Sequence, residues 1–176
     1  MRQTPTPTIV LETARLVLRC FQPGDLEALY ALYRDPQMRR FFPEGTLTRA
    51  QTQEEIDGFR EGHPDDARLG LWAAETRDEG AFVGRCGLLP WVIEGRQEIE
   101  LAYLIDRRRW GEGLATEAAQ GILRYAREQL GLQRVICLIM HGNTASVRVA
   151  EKLGMRYERD MLGDFGACMV YGRRLP

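Results

Sequence analysis

The stretch Glu98–Glu117, EIELAYLIDRRRWGEGLATE, decides how this chain is read. An apolar run from Glu98 to Ile105 passes through Arg107, Arg108 and Arg109 into a glycine-rich turn and then a helix beginning at Leu114. The first N–H groups of a helix have no partner within it. The macrodipole puts about half a positive charge there, and glycines let an anion approach the backbone. Strand, glycine turn and helix together make a phosphate cradle with arginines beside it. The triphosphate-binding loop G-x-x-x-x-G-K-[ST] is excluded, because Leu114 and Ala115 follow Gly113. A dinucleotide loop, G-x-G-x-x-G near the start of a domain, is also disfavoured: Thr116 stands at the third glycine and the motif lies late in the chain.

Downstream, Leu114, Ala118, Ile122, Ala126 and Leu130 recur every four residues, a helix that Gly131 should cap. A strand is expected over Val135–Met140. Next comes a helix capped by Asn143 or Thr144, with Val147, Ala150 and Leu153 inward and Gly154 ending it. Two strand-like runs, around Tyr157 and over Met169–Tyr171, close the chain as a hairpin. Upstream, Arg15–Cys20 alternates with the period of a half-buried strand. Leu26, Leu29, Tyr30 and Tyr33 give an amphipathic helix ended by Asp35-Pro36. Thr48 and Gln51 have capping-box spacing for a second helix, with Ile56 and Phe59 on its apolar face and its end near Gly62. Leu69–Ala74, Ala81–Val92 and Glu98–Ile105 form an antiparallel meander, its first turn at Asp78-Glu79-Gly80. The order predicts an α/β (α+β) fold: a mixed, mostly antiparallel sheet of six to seven strands with helices on both faces. One domain over residues 1–176 is expected, with residues 1–10 loose.

The net charge of -1 gives no global bias toward nucleic acid or a membrane surface, and neither is expected as a partner. Cys20, Cys86, Cys137 and Cys168 lie far apart in apolar stretches with no Cys-x-x-Cys pair, so they read as small buried hydrophobes and no metal site is expected. Met1–Ile9 is Thr/Pro-rich without the apolar core of a signal peptide, and no run approaches the ~20 apolar residues of a membrane span. A reducing cytoplasm is the expected location.

The loop pattern [Q/R]-x-x-G-x-[G/A] fits here as Arg108-x-x-Gly111-x-Gly113 or, with tryptophan in the usual Gln/Arg place, as Trp110-x-x-Gly113-x-Ala115. The second starts the helix at Leu114 and is preferred. This loop, with the opening LETARLVLR, the following PGDLEALYALYRDP, the strand ELAYLID and the late NTASVRVAEKLGM, resembles the GNAT superfamily of N-acetyltransferases nearly end to end. Within it, W-G-x-G-x-A-T-E-A is similar to the branch that acetylates ribosomal-protein N-termini. The resemblance implies a GNAT fold whose sheet splays between the fourth and fifth strands, with the pantetheine of acetyl-CoA in the gap against main-chain groups of Leu104, Ile105 and Asp106. It implies pyrophosphate binding by Trp110, Gly111, Glu112, Gly113, Leu114, Ala115 and Thr116, with Arg108 and Arg109 approaching from just outside. Asn143 would contact the cofactor arm, cap a helix, or both.

Acetyl transfer to a primary amine needs a neutral nucleophile, donors for the carbonyl oxygen and something to stabilise the departing thiolate of coenzyme A. Many GNATs use a tyrosine on the helix after the fifth strand. The corresponding residue here is Ala150, which leaves the Ser146 hydroxyl as the candidate acid, unless that hydroxyl is simply solvated. Strand alternation puts Glu98, Glu100, Ala102 and Leu104 on one face, and Glu100 is the candidate base, with Glu98 and His141 in reserve. Carboxylates at a solvated strand end are the plainer alternative. The acceptor could be a protein N-terminus or a small-molecule amine. Phe41-Phe42-Pro43 and Trp91 could wall its site or belong to the core. The chain would act as a monomer or homodimer. A non-catalytic acyl-CoA sensor would keep the loop and need neither Glu100 nor Ser146.

Overall fold

The computed structural model describes residues 8–163 and 166–176. Its strands are β1 (Ile9–Glu12), β2 (Leu16–Arg19), β3 (Gly70–Thr76), β4 (Phe82–Ile93), β5 (Arg96–Ile105), β6 (Arg134–Met140), β7 (Arg156–Gly163) and β8 (Gly166–Arg174). The helices are α1 (Leu26–Tyr33), a single turn α2 (Pro36–Arg39), α3 (Arg49–Glu61), α4 (Leu114–Glu128) and α5 (Thr144–Lys152). The strands form one eight-stranded open sheet in the order β1-β2-β3-β4-β5-β6-β8-β7.

The fourth and fifth strands of the sequence reading are β5 and β6, because β1 was not anticipated. Its four residues, half-exposed at both ends, are too short to display alternation. β1 pairs antiparallel with β2, which raises the strand count to eight and puts Ile9 and Val10, expected to be loose, into the sheet. Residues 1–7 lie outside the described residues. Gly131 ends α4 as expected: at φ +66° it takes the left-handed position past the last turn, and the Leu132 N–H donates back to the Ala126 carbonyl at 2.9 Å, the closing bond of a glycine C-cap. The capping box at Thr48 and Gln51 forms as its spacing demands, each side chain bonding the other's N–H.

Alternation along β5 distributes its side chains to two cores. Leu104 packs with Phe21, Leu29, Tyr33 and Ile56 beneath α1 and α3. Leu101 and Ile105 face Ala118, Ile122 and Ala126 of α4 and Ala150 and Leu153 of α5. Helices therefore cover both faces, as expected. The alanines bring α4 close to the sheet, and Gly121 brings β1 close to α4: a Cβ there would lie 2.9 Å from the Thr13 methyl.

The sheet has one weak line. β4 and β5 pair over ten rungs and β6 and β8 over seven, but β5 and β6, the only parallel neighbours among the described strands, meet at the single rung Glu100–Ile136. Beyond it they diverge toward their C-terminal ends, one leading to the start of α4 and the other to the start of α5. This is the predicted splay.

Candidate active site

The cradle is built at the end of β5. Asp106 is buried, and its carboxylate accepts from the Arg108 N–H at 3.0 Å and from Arg108 Nε at 2.9 Å, closing a short 3-10 turn over Arg107–Arg109. Bonds and charge from Arg108, with Arg107 nearby, outweigh the cost of burial and hold this carboxyl below its usual range. Gly111 and Gly113 have φ of +83° and +79°, in the left-handed region that glycine enters at little cost. α4 starts at Leu114 with no side-chain cap. Its first α-helical bond runs from the Glu117 N–H to the Gly113 carbonyl, so the N–H groups of Leu114, Ala115 and Thr116 have no acceptor among the described residues. This is the donor set an anion requires.

The cradle is braced by residues that the sequence reading did not single out. Arg15 donates from Nη1 to the Glu112 carbonyl at 3.0 Å and from Nε to Glu117 Oε2 at 2.6 Å, and the Thr13 hydroxyl donates to Glu117 Oε1 at 2.7 Å. Glu117 thus ties the first turn of α4 to the segment between β1 and β2. The arginines are less free than their run suggests. Arg107 pairs with Asp35 at 2.8 Å, Arg108 with Asp106, and Arg109 with Glu112 at 2.7 Å. Arg108 and Arg109 can reach a phosphate only by sharing or leaving these carboxylates. Trp110 leaves more than half its surface exposed while its indole N–H donates to the Ile105 carbonyl at 2.7 Å, fixing the loop to the strand end.

The groups facing the gap differ from those expected. The Asp106 N–H donates to the Val83 carbonyl at 2.8 Å, so it faces β4. In an antiparallel pair the N–H and C=O of alternate residues face the same neighbour, which turns Leu104 toward β4 as well. The opposite set faces β6, as the Cys137 thiol bond to the Leu101 carbonyl at 3.2 Å illustrates. The main-chain groups facing the gap are therefore those of Tyr103 and the N–H of Ile105, whose carbonyl already holds the Trp110 indole, while those of Leu104 and Asp106 face β4.

Across the gap, Asn143 caps α5: its Oδ1 accepts from the Ser146 N–H at 3.2 Å, leaving its amide nitrogen without a partner among the described residues. The Tyr103 hydroxyl donates to the Ser146 carbonyl at 3.1 Å, tying β5 to α5. Burial pushes the Tyr103 phenol well above its ordinary range. The Ser146 side chain is partly buried at this junction. Ala150 is fully buried in the core under α5.

Glu100 stands at the one rung that joins the two halves of the sheet. It is partly buried, and its Oε2 accepts from the Trp91 indole N–H at 2.7 Å. Desolvation pushes its carboxyl up from 4.5 to about 7, against the opposing pull of the Trp91 bond, the charge of Arg85 and the Leu138 main chain. The reserve candidates are engaged elsewhere. Glu98 pairs with Arg134 at 3.1 Å, which also holds Glu158 at 2.6 Å, and the exposed His141 meets Asp160 at 3.1 Å.

Beside Glu100, on the face covered by α1 and α3, the aromatics act mostly as packing. Phe42 lies against that core with the Arg39 guanidinium 4.2 Å from its ring centre, and Trp91 packs with Ile93, Ile136 and Val170. Phe41 reaches to 3.8 Å of where a Gly142 Cβ would stand, spanning from the α2–α3 connection to the start of α5. Arg85, in mid-β4, is buried on the same face and donates from Nε to the Tyr33 hydroxyl. A charged residue in the strand FVGRCGLL was legible, but nothing in the sequence gave its burial.

Comparison with known proteins agrees with this geometry. A family described as Acetyltransferase (GNAT) domain matches residues 15–156. The Bacillus subtilis (strain 168) protein YkkB is 36% identical over 165 residues, 93% of this chain and 95% of that protein. A GNAT-family acetyltransferase structure from Bacillus anthracis superposes with a TM-score of 0.79 at 25% identity, covering 93% of this chain and 97% of that one. RimL, described as a ribosomal L7/L12 alpha-N-protein acetyltransferase in complex with coenzyme A, shares the fold with a TM-score of 0.77 at 17% identity, over 95% of this chain and 98% of its own.

Proposed function

The chain belongs to the acetyltransferase (GNAT) family, and on that premise we propose that it transfers the acetyl group of acetyl-CoA to a primary amine by direct attack in a ternary complex. The carrying observation is Glu100: a partly buried carboxyl oriented by the Trp91 indole, at the mouth of the β5–β6 gap, with its proton affinity raised to about 7.

Acetyl-CoA supplies an acetyl thioester, and the donor set fits it. The N–H groups of Leu114, Ala115 and Thr116, with the left-handed Gly111 and Gly113, suit a pyrophosphate, and the gap-facing groups of Tyr103 and the N–H of Ile105 suit the amides of pantetheine. The Asn143 amide nitrogen is assigned to the same arm. Glu100 accepts the proton of the attacking amine as the N–C bond forms and the C–S bond breaks. Main-chain N–H groups of β5 receive the charge developing on the carbonyl oxygen, and the Ser146 hydroxyl faces the departing sulfur.

The acceptor we assign is an α-amine, on a protein N-terminus or a small molecule. Such an amine, with pKa of about 7.7 to 8, costs only about 1 to 1.5 kcal/mol to neutralise at pH 7, against about 4.6 kcal/mol for a lysine side chain. A carboxylate base near 7 matches the first task. Calorimetric titration with acetyl-CoA, followed by a panel of amines and N-terminal peptides with thiol release recorded, tests the reading. Binding with amine-dependent release and intersecting initial-velocity lines is expected. Tight binding without turnover would instead make the chain an acyl-CoA sensor, and no binding at millimolar acetyl-CoA would refute both.

A further inference from the structure

Among the buried charges outside the proposed chemistry, Arg85 stands apart. Only 6% of its surface is exposed, and its one hydrogen bond among the described residues runs from Nε to the Tyr33 hydroxyl. Tyr33 is itself buried, and burial pushes its phenol up to about 12, so this partner is neutral. No carboxylate lies within ion-pair reach of Arg85 among the described residues; Glu55, which is linked to the same Tyr33 hydroxyl, acts on Arg85 through charge and leaves its Nη groups without a direct bond. Its neighbour Arg39, also buried, has the Gly45 carbonyl at 2.7 Å and Glu44 at 3.3 Å. Both guanidiniums lie over the Phe42 ring, Arg39 at 4.2 Å and Arg85 at 5.6 Å from its centre. A buried guanidinium with four N–H groups unanswered is strongly unfavourable unless an anion arrives.

Those four N–H groups are not sealed in. The only fully occluded side-chain nitrogen or oxygen lacking a partner among the described residues is Arg159 Nε; the Arg85 Nη atoms are outside that set and keep a sliver of accessible space within the residue's 6% exposure. That space lies on the Glu100 face of the sheet. Arg85 is opposite Leu104 and Leu89 opposite Glu100, and the rung between is Gly87 opposite Ala102, with at most a methyl group. The two rungs are about 13 Å apart along β5, and the Arg85 charge is felt at the Glu100 carboxyl. A base and an unanswered cation thus share one face, with small residues between them.

We propose that Arg85 binds a carboxylate carried by the amine acceptor, so that the enzyme prefers acceptors with an acidic group a few bonds from the reacting nitrogen. The inference rests on the transferase reading and names its substrate class. An α-amine delivered to Glu100 leaves its anionic end toward β3 and α1, where Arg85 supplies a planar fork for two carboxylate oxygens.

The test uses matched acceptors on the full chain with thiol release. Ala-Asp-amide against Ala-Asn-amide reads an acidic side chain as found near a peptide N-terminus, and Ala-Ala against Ala-Ala-amide reads a free terminal carboxylate. Tenfold or greater preference in kcat/KM for the acidic member of at least one pair is expected, and the pair showing it identifies the source. R85Q should reduce that preference at least fivefold, mainly through KM of the acidic member, with R85K keeping part of it. Equal use of both members by the wild type overturns the inference while leaving the transferase reading intact, and that comparison needs no variant to fold. Equal loss on both members in a folded R85Q also overturns it, because a packing role predicts that result. Thiol release with none of the four acceptors, nor with any other amine, would overturn the transferase reading and this inference with it.

Discussion

Glu100 carries two opposed demands in one side chain. In the folded protein its carboxyl holds a proton up to about pH 7, whereas an ordinary glutamate releases it near 4.5. Below 4.5 both states are protonated and Glu100 contributes nothing to pH dependence. Between 4.5 and about 7 the native state keeps a proton that the unfolded state has lost, so stability falls as pH rises, and above 7 the loss is complete. E100Q keeps an acceptor for the Trp91 indole and removes the charge. It should therefore raise Tm at pH 8 by a few degrees, from roughly 1–3 kcal/mol of relieved desolvation, and leave Tm near pH 4.5 unchanged. The same variant should lower kcat/KM by about 10²-fold or more. In the wild type, kcat/KM should rise with pH through about 7. Thermal melts at two pH values and a pH–rate profile check this, and a variant both unstable at pH 8 and fully active would remove Glu100 from its role. The alternation of Glu98, Glu100, Ala102 and Leu104 made Glu100 a legible candidate. Its distinction from Glu98 was not legible, because it depends on Arg134, which lies thirty-odd residues later and captures Glu98 across the sheet.

At the scale of elements, the cradle was read from sequence because its parts are contiguous. A strand, a run of arginines, two glycines and a periodic helix declare themselves locally. Its bracing was hidden because Thr13 and Arg15 reach Glu117 from the other end of the chain. The choice of gap-facing groups on β5 was hidden too, since it is fixed by pairing with Val83 rather than by residue type. Gly113 offers a clean test of this element. A Cβ there would meet nothing closer than Arg15 Nη2 at 3.7 Å, so crowding is slight and the cost lies in the left-handed backbone. G113A should cost roughly 1–2 kcal/mol of strain, seen as a Tm lower by several degrees and an acetyl-CoA affinity about tenfold weaker by calorimetry. Unchanged affinity would mean that the start of α4 does not hold the pyrophosphate.

For the whole molecule, the meander, the two covered faces and the splay were all present in the order of strand and helix patterns. The eighth strand was not, because four half-exposed residues carry too little pattern. Nor was the placement of β8 between β6 and β7, since sequential neighbours pair by default and here the hairpin returns inward. The architecture leaves the halves β1–β5 and β6–β8 joined within the sheet by one rung, supplemented by the Tyr103–Ser146 bond, the Cys137–Leu101 contact and the Glu98–Arg134 ion pair. Acetyl-CoA at a hundred times its Kd should add about 2.7 kcal/mol of stability and slow amide exchange on the diverging ends of β5 and β6 more than on β2 and β3. A Tm rise without that local protection would put the ligand elsewhere.

Seen mechanically, this seam is a perforation. Load applied across the sheet is shared by several rungs at every other strand boundary and concentrates here on one rung and a few side-chain bonds. A molecule lying along the gap and bonded to both lips acts as a rivet, so force needed to part the halves becomes a direct gauge of occupancy, and the loaded and spent forms of the cofactor should give different tearing strengths.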